Sequence, residues 1–212
     1  MRDMCWRSRS LAFSWGRSPL ARSVRKLATG MGSGMKIIGI AGSLRPGAYV
    51  RKLLEASARE LPASVDFEIW DGLDQVPPFQ EGPLPQRVDE LCHILSGADG
   101  LLVAAPAHSV LPPQLGHALA WAASSRGGAV LVGKPAAVLT ACLHAHEATW
   151  TQTELRRALG TAGAVVYGAD LVVSSALSQF DSEGRLVDPE FRDRLCKVLE
   201  GLCKPSFTKS TV

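Results

Sequence analysis

Short apolar runs alternate along this chain with segments whose apolar residues recur at helical spacing. Lys36–Ala41 (KIIGIA) is a strand-like run ending in Gly42-Ser43, and Ala48–Leu61 then places Leu53, Leu54, Ala58 and Leu61 on one helix face. Val65–Trp70 alternates as a second strand. A proline-rich loop follows from Asp71 to Pro85, holding Pro77, Pro78, Pro83 and Pro85. Loops of that length in compact domains are functional or packed against a neighbour. Val88–Leu95 predicts a helix, and Gly100–Ala105 (GLLVAA) a strand without alternation, the mark of burial on both faces.

After Pro112-Pro113, Leu115, Leu119 and Trp121 predict a third helix stopped by Gly127-Gly128, and Lys134–Ala141 a fourth strand. Thr151 and Glu154 have capping-box spacing ahead of a helix carrying Leu155, Ala158 and Leu159. Ala164–Val173 predicts a fifth strand, and a last helix runs from about Pro189 to Leu202. Strands that alternate with helices and are apolar throughout specify an α/β domain, a doubly wound parallel sheet with helices on both faces.

Composition changes this picture at the N-terminus. The 212 residues carry +3 overall, but residues 1–34 hold seven of the 23 basic residues and one of the 20 acids, a net of +6 that leaves the remainder at −3. A mildly acidic body offers no clustered basic surface, so nucleic acid is not an expected partner. No apolar run reaches the ~18 residues of a membrane span, so no membrane partner is expected either.

Residues 1–34 are rich in Arg and Ser like an organellar transit peptide, yet all four methionines (Met1, Met4, Met31, Met35) fall in residues 1–35. Upstream sequence ahead of a natural start at Met31 or Met35 explains this equally well. The expected division is a basic extension over 1–34, a domain over 35–204 and a tail over 205–212. The five cysteines show no metal-ligand spacing and read as reduced thiols, which places the protein in the cytoplasm unless residues 1–34 direct it into an organelle.

Ligands of open parallel sheets bind beyond the carboxyl ends of the strands, where the strand order reverses. That directs attention to the loops after strands one, three and four. The first reads GSLRPGAYV over residues 42–50. Gly42 and Gly47 allow close backbone approach, Ser43 offers a hydroxyl, Arg45 a fork of donors, and the helix N-terminus free N–H groups. This set can cradle a phosphate; it can equally be a tight βα turn whose glycines serve geometry alone. The third loop holds His144, His146 and Glu147, but a His-x-His pair shares a face only on a strand and no further ligand is placed, so no metal is expected.

The body resembles the NADPH-dependent FMN reductase family of flavodoxin-like oxidoreductases, which includes quinone, chromate and azo reductases. The resemblance is carried, in order, by GSLRPG with RKLLEAS behind it, ADGLLVAAP, LPPQLGHALAW and VGKPAAVLTA. It implies a five-stranded flavodoxin-like sheet of order 2-1-3-4-5, FMN at the switch point, and two-electron reduction of a quinone-like small-molecule acceptor by NAD(P)H, often in a homodimer or homotetramer. It further implies that Gly42, Ser43, Leu44, Arg45 and Gly47 hold the phosphate and that Tyr49 packs at the helix start. Pro106, His108, Ser109 and His144 then border the ring, and no side chain is demanded as a catalyst.

The chain departs from the family's pattern in all three loops. The family continues its first loop with Ser and Asn where this chain has Ala48 and Val50. Hydrogen bonds to charged groups are worth ~1.5–3 kcal/mol each, so losing two predicts FMN binding weaker by roughly 100- to 10,000-fold. The second loop, Pro106 to Pro112, lacks the family's acid and tyrosine, and the third, Leu143 to Trp150, lacks its glycines. These changes open an alternative, a flavodoxin-like domain that has lost FMN and serves as an interaction or regulatory subunit.

Overall fold

The structure is a computed structural model, and it describes residues 34–45, 47–107, 111–142, 148–168, 171–174 and 178–204. The calls on residues 1–33, His108, Ser109, His144 and the C-terminal tail lie outside the described residues.

In chain order the elements are β1 (Lys36–Ala41), α1 (Tyr49–Glu60), β2 (Asp66–Trp70), α2 (Gln86–Ser96), β3 (Gly100–Pro106) and α3 (Pro113–Ala123). They continue with β4 (Pro135–Ala141), α4 (Ala148–Thr161), β5 (Val165–Val166), β6 (Leu171–Val173) and α5 (Pro189–Cys203). The sheet runs β2-β1-β3-β4-β5, with β6 also on β4, and every pairing among these strands is parallel.

Successive strand residues face opposite sides of a sheet, so an all-apolar strand serves two cores. On β3, Leu101, Val103 and Ala105 face a core built with α2, α3 and α4, while Leu102 and Ala104 face one built with α1 and α5. Each helix contributes one stripe. Leu53 and Leu54 of α1 meet Leu195, Val198 and Leu199 of α5, while Val88, Leu91 and Leu95 of α2 meet Leu115, Leu119 and Trp121 of α3. Edge strand β2 keeps an alternating pattern, ending in buried Trp70.

Two expectations are corrected. The fifth strand is broken in two, since Pro135 pairs Val165 whereas Leu139 pairs Leu171. Four steps along β4 thus correspond to six along the edge, with Gly168, whose φ of 80° suits glycine, between the two segments. Helix α4 starts at Ala148, so Thr151 and Glu154 lie within it, and Thr151 is buried where a cap would be exposed.

The proline-rich loop is packed against a neighbour. It begins with a 3₁₀ turn at Leu73–Gln75, the Trp121 indole N–H donates to the Pro77 carbonyl at 3.0 Å, and the Phe79 ring meets that indole edge-on at 4.8 Å. Among the described cysteines, Cys92, Cys142 and Cys203 are free thiols.

Candidate functional site

The loop after β1 is held from below. Gly42 N–H donates to the Ala104 carbonyl of β3 at 2.7 Å, tying the loop to the neighbouring strand. A Cβ at Gly42 would stand 2.9 Å from a Leu115 methyl, 3.3 Å from the Ala104 oxygen and 3.4 Å from Ala105 Cα. This glycine is therefore required by packing beneath the loop. Gly47 differs: its φ is 68° and nothing lies within 4 Å of an added Cβ, so backbone conformation is the reason for glycine there.

Above that floor the loop is open to an anion. The Ser43 hydroxyl accepts the Arg45 N–H at 3.4 Å, which curls the loop and leaves the guanidinium exposed. Ala48 occupies the N-cap of α1 with φ −55° and ψ 140°, makes no side-chain cap, and is followed by no acid in the first turn. The first N–H groups of a helix lack intrahelical partners and carry the positive end of its dipole. Hydroxyl, guanidinium and uncapped helix end together fit a phosphate, and they fit the phosphate of FMN.

The two family positions that this chain replaces are unequal. Ala48 is half-buried at the helix end. Val50 is 1% exposed and packs in the core between α1, α5 and the sheet, so it faces away from the loop's open side.

Ser43, Leu44, Arg45 and Gly47 also form one rim of a cavity of about 530 Å³, with Ala41, Trp70 and Leu73 beneath and Arg51, Lys52, Glu55, Asp71 and Asp74 around it. Arg51 crosses this wall. Its guanidinium grips the Asp71 carboxylate with two nitrogens and donates through Nε to Glu55 at 3.2 Å, and the Asp71 contact holds the Arg51 pKa above its ordinary value against the opposing effect of burial. Sequence reasoning missed this second wall. Its available signal was Asp71, the first residue after β2 and so at a strand's carboxyl end.

The structure thus brings together four of the expected residues, with Gly42 beneath them. Tyr49 is elsewhere: its ring stacks on Phe180 at 6.4 Å, with the Lys52 ammonium 5.6 Å from its centre. Pro106, paired with Ala141, ends β3 on the opposite side of β1 from β2. Beyond it Ala107, Cys142 and Ala148 form a small buried cluster at the bases of the other two loops.

A parallel sheet of order 2-1-3-4-5 with an anion cradle after its first strand defines a flavodoxin-like protein. The likeness extends to solved structures. The NAD(P)H:acceptor oxidoreductase FerB of Paracoccus denitrificans superposes with a TM-score of 0.72 at 20% identity, over 79% of this chain and 94% of that one. An oxidised flavodoxin of Bacillus cereus does so with 0.52 at 18%, over 80% and 98%.

Within that fold, residues 35–178 match the NADPH-dependent FMN reductase family, and the chain belongs to it. An NAD(P)H-dependent FMN reductase of Pseudomonas aeruginosa is 29% identical over 178 residues, covering 81% of this chain and 95% of the relative. Subunit 2 of an NADH-dependent flavin reductase of Lactobacillus johnsonii is 29% identical over 164 residues, covering 74% and 89%. The chain is therefore an NAD(P)H-dependent flavin oxidoreductase whose cofactors are FMN and NAD(P)H. No helix among the described residues is long and apolar enough to cross a membrane.

Proposed function

We propose that the chain reduces a small quinone-like acceptor by two electrons, in the cytoplasm, as a homodimer or homotetramer. FMN, when bound, supplies the chemistry of taking a hydride from the nicotinamide and delivering two electrons to the acceptor. The observation that carries this reading is the uncapped α1 N-terminus facing Ser43 and Arg45, an anion site at the end of the first strand.

The chain's own residues bind and orient. Ser43 donates its hydroxyl to the phosphate, Arg45 adds charge from the rim, and Gly47 provides the turn that aims the helix N–H groups at the same point. Pro106 ends β3 on the side of β1 away from β2, where the flavin ring would lie.

Absorption spectroscopy of the purified protein and an FMN titration followed by flavin fluorescence test the reading. Saturable binding at low micromolar FMN, lost in the Ser43→Ala, Arg45→Ala double variant, is expected. Unchanged affinity in that variant refutes the placement, and protein that ignores millimolar FMN refutes the flavin reading itself. Steady-state assays with a benzoquinone acceptor and light scattering test the acceptor class and the assembly.

A further inference from the structure

Helix α1 meets the anion cradle end-on, and its first turn carries no device of its own to hold it there. Ala48 makes no side-chain cap and the turn contains no acid. The Arg51 and Lys52 N–H groups both donate to the Ala48 carbonyl, at 2.9 and 3.1 Å, whereas the N–H groups of Tyr49 and Val50 have no acceptor among the described residues. Those two amides are the ones the helix offers to an anion. A helix end without a cap frays unless contacts outside the helix hold it.

Three successive side chains supply such contacts, each on a different element. Val50 is buried in the core against α5 and the sheet, Arg51 grips Asp71 just beyond β2, and the Tyr49 ring stacks on Phe180 with 6.4 Å between centres and 14° between planes. Tyr49 is the first residue of the helix, so of the three contacts its stack on Phe180 is nearest in the chain to Ala48 and Gly47. The Lys52 ammonium, which lines the same cavity as Ser43 and Arg45, stands 5.6 Å from the centre of the Tyr49 ring.

Phe180 belongs to a hairpin between β6 and α5 whose shape does not depend on the cradle. Phe180 and Leu186 bridge in antiparallel fashion, and the Val187 N–H donates to the Gln179 carbonyl at 2.9 Å. The Asp181 carboxylate closes the turn by accepting the N–H groups of Glu183 and Arg185, each at 2.9 Å. Leu186 is buried among residues of α1 and α5, and Arg59 in the last turn of α1 donates to the Gly184 carbonyl at 3.1 Å. The hairpin thus touches both ends of α1. Phe180 also lies beyond residues 35–178, the segment that matches the family.

We propose that Phe180 is a positioning residue for the flavin phosphate. Its ring holds Tyr49, and with Tyr49 the two free amides of the first turn, where the anion binds; it touches no ligand itself. An aromatic pair at this spacing shifts the population of the arrangement it stabilises by roughly 2- to 10-fold. A ligand that binds only the ordered turn loses affinity in proportion to the population lost. The inference rests on the flavin reading above for the identity of the anion.

Fluorescence titrations of the full-length protein with FMN and with riboflavin, which is the same ring without the phosphate, test it. Phe180→Ala should weaken FMN by about 3- to 10-fold and leave riboflavin within about twofold, and Phe180→Tyr should bind both as the parent does. Tyr49→Ala should lose as much FMN affinity as Phe180→Ala, with little further loss in the double variant. Phe180→Leu keeps apolar bulk without the ring, so it should show the same FMN loss, and it carries the test if the alanine variant does not fold. Equal losses for FMN and riboflavin, unchanged FMN affinity in Phe180→Leu, or losses that add in the double variant overturn the inference, while FMN binding by the parent leaves the flavin reading standing. A parent chain that ignores millimolar FMN overturns that reading, and this inference with it.

Discussion

Replacing Ala48 by serine should restore one missing phosphate donor and stabilise the free protein at the same time. Ala48 already has the extended backbone that an N-cap residue adopts, and its side chain makes no cap. In the free protein the new hydroxyl can accept an N–H of the first turn of α1, a contribution of about 1 kcal/mol. For a domain of this size that corresponds to a rise in Tm of roughly 2–4 °C. With FMN bound the hydroxyl turns to the phosphate, worth ~1.5–3 kcal/mol, and gives up its cap. The net gain is about 0.5–2 kcal/mol, or roughly 2- to 30-fold in Kd. Thermal melts without flavin and fluorescence titrations with it separate the two effects. A variant that melts with the parent and binds FMN no better would show that the Ala48 side chain faces neither the helix N–H groups nor the ligand. The matching change at the other departed position should act oppositely. Val50 is buried, so Val50→Asn places an amide in the core and should cost ~1–3 kcal/mol of stability without improving FMN affinity.

Gly42→Ala should lower stability by ~1–3 kcal/mol, since its Cβ meets the backbone of β3 as well as Leu115; a urea midpoint equal to the parent's would refute that. Gly47→Ala should cost ~1–2 kcal/mol and Gly47→Asn distinctly less, because only conformation is at issue there; equal losses would point to a contact instead. Half-burial holds the Lys134 ammonium below its ordinary pKa of 10.5, partly countered by Asp99, so the folded chain releases this proton before the unfolded one does. Stability relative to Lys134→Met should therefore rise with pH between the folded value and 10.5, as denaturant midpoints would show; a flat or falling difference would contradict it.

How much of this the sequence discloses follows from where each feature stores its information. Strands β1, β3 and β4 are buried on both faces, so nearly every position is apolar, Lys36 and Thr140 excepted, and Lys36–Ala41, Gly100–Ala105 and Lys134–Ala141 can be read within a residue or so of their observed limits. The edge was less legible because an edge strand need not stay in register. Nothing in the apolar run from Ala164 to Val173 announces that Leu139 skips to Leu171, apart from one glycine. The same spacing that suggests a cap at Thr151 also occurs inside a helix, and burial of Thr151 decides between the two only after folding. For the site, Ser43, Arg45 and Gly47 are contiguous and therefore visible, whereas Arg51, Trp70, Asp71 and Asp74 meet them only because β2 pairs with β1. Two replaced residues that look equivalent in one dimension, Ala48 and Val50, turn out to be a half-buried N-cap at the helix end and a fully buried core side chain respectively. The departures from the family pattern thus do not add: one removes a donor from the cradle and the other trades a polar group for core packing. Weakening by both together, as the linear reading of the loop expects, exceeds what this geometry allows, and a loss of ~1.5–3 kcal/mol from Ala48 alone leaves room for a working FMN site.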